Sequence, residues 1–181
     1  MLWGNSLVKS EASTDHSFLQ RTAMNGLDAT KQFNSEAQLD EFLTRPTQDL
    51  VEFLKFRTSD LMILGAGGKM GPSLAVLAKR GFEQAQSRCR VICVSRFSDP
   101  STVNYLKEND VDVISGDLTS LSVLTELPEV RHIVFMAGMK FGSSGAPEKT
   151  WQMNVLLPWN IARRFPKATF AVLSTGNVYG F

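Results

Sequence analysis

Cysteine, histidine and long apolar runs are what this chain has least of. Its 181 residues hold two cysteines, two histidines and two tyrosines. Both cysteines fall in Cys89-Arg90-Val91-Ile92-Cys93. Along an extended strand that spacing puts them on one face but too far apart to bridge, so they read as reduced packing residues. Two cysteines and two distant histidines also fall short of a metal site. No apolar run approaches the ~20 residues that a membrane-spanning helix needs. Met1 to Gln20 is polar and lacks the apolar centre of a secretion signal, so the expectation is a cytoplasmic protein with no membrane partner. Neither sign of charge dominates. Nineteen Lys and Arg against 18 Asp and Glu leave a net charge of +1, which gives no electrostatic case for nucleic acid. With 43% hydrophobic and 20% charged residues, the composition is that of one ordinary globular domain with a sizeable core.

What is present is alternation. Residues 1–58 read as an N-terminal extension: a polar, aperiodic start to about Phe33, expected to be loose, then two short helices. Ser35-Glu36-Ala37-Gln38 fits a capping box, and Leu39, Phe42 and Leu43 mark one helical face. Thr44-Arg45-Pro46 breaks the pattern, and Asp49 to Phe56 forms the second helix with Leu50, Phe53 and Leu54 on one side. These helices either recognise a partner or cover the main domain. Residues 59–181 alternate apolar runs with helical segments. The runs are Leu61–Leu64, Val91–Val94, Val111–Ile114, Ile133–Met136 and Phe170–Leu173. Helices are expected over Pro72–Lys79, Thr102–Glu108, Leu121–Leu127 and Lys149–Arg164, the last with a kink at Pro158. Repeated β-α units predict an α/β, Rossmann-type doubly wound parallel sheet of order 3-2-1-4-5.

Candidate site residues cluster at the strand ends, where open α/β sheets bind ligands. Leu61–Leu64 stops at Gly65-Ala66-Gly67-Gly68-Lys69-Met70-Gly71-Pro72 and an amphipathic helix follows. Strand, glycine turn and helix together make a cradle for a dinucleotide pyrophosphate, with Gly65, Gly68, Lys69, Met70 and Gly71 at the phosphates. The second run ends Val94-Ser95-Arg96. An acidic residue there would hold a ribose 2′-hydroxyl, whereas Arg96 beside the neutral Ser95 suits a 2′-phosphate. That leans the cofactor to NADP over NAD, unless Arg96 only faces water and Asp99 supplies the acid. Lys69 either adds charge beside the same phosphate or is solvated. After the third run, Asp117 in Gly116-Asp117-Leu118 either accepts from an adenine amino group or caps the next helix. Ala137 and Gly138 are small enough for a cofactor to lie against, and Lys140 is placed to reach a ribose or phosphate. Ser174 and Thr175 offer hydroxyls after the fifth run.

Together these pieces resemble the extended short-chain dehydrogenase/reductase family, the NAD-dependent epimerase/dehydratase group, from about Asp60 to Phe181. Gly65-x-x-Gly68-x-x-Gly71 is that family's glycine spacing, and Gly116-Asp117-Leu118 is similar to its adenine-contacting segment. Ala137-Gly138-Met139-Lys140 is similar to the Ala-Gly-Leu-Lys of sugar-nucleotide epimerases. Trp151-Gln152-Met153-Asn154-Val155 resembles the helix bearing a cofactor-supporting asparagine, which the resemblance puts at Asn154. Ser174-Thr175-Gly176-Asn177-Val178-Tyr179-Gly180 resembles the Ser-Ser-x-x-Val-Tyr-Gly signature, which makes Thr175 the catalytic Ser/Thr that holds the reacting oxygen. The family's general acid/base is a tyrosine in Tyr-x-x-x-Lys, whose lysine lowers its pKa. Tyr179 is not that residue, and Tyr105 has Asn109 at the lysine position. The motif belongs beyond Phe181, so the expectation is an incomplete piece of a longer protein, truncated after strand five. The resemblance implies hydride transfer on a small-molecule substrate such as a sugar nucleotide, and a possible homodimer of the full-length parent. The missing acid/base pair keeps a second reading open, a non-catalytic dinucleotide-binding or regulatory module.

Overall fold

The computed structural model describes residues 32–139 and 145–173. The chain divides into two units, Met1–Asn34 and Ser35–Phe181, and the architecture below is that of the second. The expected loose start lies outside the described residues, Gln32 and Phe33 apart, as do Lys140, Ser174 and Thr175.

The elements run α1 (Glu36–Leu43), α2 (Gln48–Lys55), β1 (Leu61–Leu64), α3 (Gly71–Gln84), β2 (Val91–Ser95), α4 (Pro100–Glu108), β3 (Asp112–Ser115), α5 (Leu121–Glu126), β4 (His132–Phe135), α6 (Pro147–Trp151), a π turn (Gln152–Leu156), α7 (Leu157–Arg164) and β5 (Thr169–Val172). The sheet is parallel throughout, in the order β3-β2-β1-β4-β5, as the alternation predicts. Three strands are offset by one residue from their apolar runs. An apolar run marks what is buried, whereas the ladder partner sets the strand: His132 pairs with both Leu61 and Thr169.

The period of two in β1 divides the core. Met62 and Leu64 face one side with Ile92, Phe135, Leu157, Ile161 and Phe165. Ile63 faces the other with Cys93, Ala75, Phe82, Leu106 and Leu54. Burying each such large side chain is worth roughly 1.5–3 kcal/mol. Cys93 belongs to this packing, and burial pushes its thiol pKa up to about 12. Cys89 donates its thiol to the carbonyl of Arg57 at 3.3 Å, and neither cysteine is bridged.

Capping sets the helix starts. Ser35 Oγ accepts the Gln38 N–H at 3.3 Å and Thr47 Oγ1 accepts that of Leu50 at 3.3 Å, each meeting a donor that the first turn leaves unpaired. The short N-terminal helices lie on α3. Arg80 of α3 reaches Glu41 at 2.7 Å and the fully buried Thr44 at 2.8 Å. Gly81 gives Leu54 room, since a Cβ there would come within 2.6 Å of its Cδ1. Pro158 produces a π turn ahead of itself. It has no N–H for the carbonyl of Asn154, and its ring crowds that carbonyl. The helix widens so that the Leu157 N–H bonds the carbonyl of Gln152, five residues back.

Candidate functional site

The strand ends are level. Leu64 stands opposite both Val94 and Phe135, Ser95 opposite Ser115, and Phe135 opposite Val172. The chain therefore leaves the sheet in a row of loops, and the strand order reverses between β1 and β4, where such sheets open a crevice. A cleft of about 590 Å³ lies there, lined by the glycine turn, the ends of β2, β3 and β4, and Met153.

The glycines of the turn serve different needs. Gly65 has φ +88°, and a Cβ would lie 2.6 Å from the backbone nitrogen of Ala137, so β1 hands over to the turn directly against β4. A Cβ at Gly71 would sit 2.1 Å from the carbonyl oxygen of Ala66; this glycine lets α3 start hard against the turn. Gly67, which the family spacing passes over, lies against Ser95, whose Oγ would be 2.7 Å from a Cβ. Gly68 differs from all three. Nothing lies within 4 Å of a Cβ placed there, and it lines the cleft. The fold has no steric need of a glycine at 68. The neighbouring α3 has Met70 as its N-cap, which makes no side-chain cap bond; the Gly71 N–H goes to the Gly68 carbonyl at 3.2 Å and Pro72 has no N–H, so no side-chain cap covers the positive end of the helix dipole.

On the β2 side Ser95, Arg96, Phe97 and Ser98 line the cleft. Phe97 has φ +45°, an unusual conformation for a bulky residue. Asp99 is not on this wall. Its Oδ1 accepts the Ser101 N–H at 2.9 Å and caps α4, and those Ser101 bonds hold its carboxyl below the usual carboxylate range. On the β3 side Asp117 and Leu118 line the cleft. Asp117 Oδ1 accepts from the Thr119 N–H at 2.9 Å and the Thr119 hydroxyl at 2.8 Å. These bonds lower its pKa, with a smaller pull from Arg96. Asp117 thus braces the turn before α5, whose own N-cap is Ser120. Oδ2 has no hydrogen bond among the described residues. Leu118 is buried and ties this wall to the core.

On the β4 side Ala137 and Gly138 present bare backbone to the cleft. Asn154, in the π turn, does not line it. Its carboxamide pairs with the backbone of Met139, accepting the N–H at 2.8 Å and donating to the carbonyl at 2.9 Å. Lys69 and Met70 line a second hollow of about 290 Å³ with Gly65, Gly68, Met136 and Leu173, and Arg96 is not on its wall. Sequence reasoning placed eight candidates on the main cleft: Gly65, Gly68, Ser95, Arg96, Asp117, Leu118, Ala137 and Gly138. It missed Gly67, Phe97, Ser98, Gly116, Met136 and Met153. A fourth glycine in the turn, beyond the three of the family spacing, was a visible signal for Gly67. Nothing in one sequence marks a left-handed phenylalanine. Among the described residues, no cluster of metal-ligating side chains occurs and no helix is long and apolar enough to cross a membrane.

No protein-family model and no curated protein matches the chain. Solved structures do. One is the Bordetella bronchiseptica enzyme WbmF in complex with NAD+ and UDP, at 19% identity and TM-score 0.52, covering 66% of this chain and 36% of that one. Another is the Helicobacter pylori ADP-L-glycero-D-manno-heptose-6-epimerase, at 20% identity and TM-score 0.55, covering 74% and 43%. A third is Pen from Bacillus thuringiensis, at 16% identity and TM-score 0.50, covering 60% and 34%. At these identities the likeness establishes a shared fold, the Rossmann-type doubly wound sheet. The chain spans less than half the length of each.

Proposed function

We propose that this chain is the cofactor-binding part of an NAD(P)-dependent oxidoreductase of the epimerase/dehydratase type, acting by hydride transfer on a sugar nucleotide or a related carbonyl or alcohol substrate. One observation carries the reading: the open space over Gly68 adjoins the uncapped start of α3 at a strand-order reversal. Bare backbone admits a pyrophosphate at close range, and the positive helix end favours its charge. The residues present fit such a group. Gly65, Gly68 and Gly71 with Met70 and Lys69 form the phosphate cradle. Asp117 and Leu118 suit the adenine end, and Ala137 and Gly138 receive the nicotinamide-side ribose with Lys140 nearby in sequence. Asn154 is a positioning residue that holds Met139 and so the loop after β4.

Ser95 and Arg96 suit a 2′-phosphate, and the capping duty of Asp99 supports NADP over NAD, because it leaves no carboxylate of the β2 loop on the cleft. When bound, a nicotinamide dinucleotide supplies the hydride acceptor or donor. Thr175, with Ser174 beside it, is assigned to hydrogen-bond the reacting oxygen of the substrate. The two enzymes named above, one solved with NAD+ and UDP and one a sugar-nucleotide epimerase, support the substrate class.

Titration of the purified chain with NADPH and with NADH tests the reading. Saturable binding of both, tighter for NADPH, is expected, and no binding of either nucleotide sinks it. Binding without turnover favours a regulatory dinucleotide-binding module instead.

A further inference from the structure

Among the described residues, Gln86, Phe97 and Asp110 hold a left-handed backbone without being glycine, with φ of +55°, +45° and +55°. Helix ends account for two of them. Gln86 follows α3 and Asp110 follows α4. Their N–H groups bond the carbonyls of Glu83 at 2.9 Å and Lys107 at 3.1 Å, as residues that stop a helix do. Phe97 stops no helix. It stands between β2 and Asp99, the cap of α4, and a bulky side chain disfavours this conformation. Its surroundings must hold it there, and residues held in this way gather at ligand sites.

The hold comes from two directions. Toward β3, the Ser95 carbonyl accepts the Gly116 N–H at 2.9 Å and the Arg96 carbonyl accepts the Ser115 hydroxyl at 3.3 Å. Away from β3, the half-buried Phe97 packs on the core that contains Ala66, Ala75 and Leu106. Its Cδ1 lies 3.7 Å from where a Cβ of Gly67 would be, so the ring rests beside the glycine turn. Neighbours in an extended chain point to opposite sides, yet Ser95, Arg96, Phe97 and Ser98 line the cleft in succession. The turn at Phe97 makes that possible. Arg96 is exposed, and no ion pair engages it among the described residues.

An arginine on a loose loop must be ordered, backbone and side chain, before it can grip a ligand, and that ordering opposes binding. A backbone already anchored removes part of the cost. We propose that Phe97 is a positioning residue for the 2′-phosphate of NADPH: its ring, fixed on the core beside Gly67, holds the backbone of Arg96 at the cleft wall in the free protein. The inference rests on the NADP reading above. It adds the residue that ties the β2 loop to the glycine turn, and so the seat of the 2′-phosphate to that of the pyrophosphate.

Titration of the full chain with NADPH and with NADH tests it, on the parent, Phe97→Ala and Phe97→Asn. Both substitutions remove the ring, and asparagine takes a left-handed backbone readily, which guards against a variant that fails to fold. Circular dichroism checks the fold of each. Both variants are expected to bind NADPH several-fold more weakly than the parent and NADH almost unchanged. In an Arg96→Ala background the same substitutions are expected to cost NADPH nothing further, because no guanidinium is left to position. Equal losses for the two nucleotides in a folded variant overturn the positioning role and leave the NADP reading standing. An undiminished further loss of NADPH in the Arg96→Ala background does the same. A parent chain that does not prefer NADPH overturns both.

Discussion

Asn154 and Met139 hold each other by two hydrogen bonds, N–H to Oδ1 at 2.8 Å and Nδ2 to carbonyl at 2.9 Å. One carboxamide thus replaces a missing stretch of backbone ladder after β4 and keeps the loop at the cleft edge in place. The widened turn forced by Pro158 contains Asn154 itself, so the helix defect and the loop brace are one feature.

Asn154→Ala removes both bonds without disturbing the core, since Asn154 is exposed. At a net ~0.5–1.5 kcal/mol per bond, dinucleotide affinity is expected to fall roughly 5- to 150-fold, with little change in melting temperature. Fluorescence titration of the variant reads this. Parent-like affinity in Asn154→Ala would remove the positioning role.

Gly68→Ala and Gly71→Ala separate a glycine needed by a ligand from one needed by the fold. A Cβ at Gly68 meets nothing, whereas one at Gly71 meets a backbone carbonyl at 2.1 Å. Gly68→Ala is expected to melt like the parent and bind dinucleotide at least tenfold more weakly. Gly71→Ala is expected to lose about 1–3 kcal/mol or more in urea unfolding, as forced overpacking does. A Gly68→Ala variant that binds normally argues against a phosphate at that position.

Arg96 is exposed on the β2 wall. Its replacement by alanine is expected to cost NADPH about 1.5–3 kcal/mol of binding, the worth of a charge-assisted hydrogen bond. NADH is expected to lose almost nothing. Equal losses for both nucleotides refute the 2′-phosphate assignment.

His132 starts β4, half-buried, and burial lowers its pKa, with further repulsion from Arg57 and Arg131. The folded state therefore binds its proton less readily than the unfolded chain does. Its contribution to stability is complete above the unfolded value of about 6.5. That contribution is lost as pH falls from there through the folded value. Urea unfolding measured downward from neutral pH is expected to show this decline, and His132→Gln to flatten it. Identical slopes for parent and variant disprove the linkage.

The periodicities of the chain were enough for the order of elements and the sheet. Five apolar runs parted by helical segments leave few ways to bury both faces of a sheet, because right-handed crossovers select one topology. The glycine turn was equally plain, since a left-handed backbone at Gly65 and the close approach at Gly71 tolerate little else. Three things were decided only by the folded chain. Asp99 and Asp117 were interchangeable with other roles on paper until Ser101 and Thr119 claimed them, because a carboxylate bonds whichever donors the turn brings within reach. Gly67 and Gly68 look alike in sequence, but Ser95 from a strand 28 residues on crowds the first and leaves the second open. The widened turn at Gln152–Leu156 is invisible at a period of 3.6. It exists because Pro158 cannot donate a hydrogen bond, and a helix that loses one bond inside a packed layer widens rather than breaks.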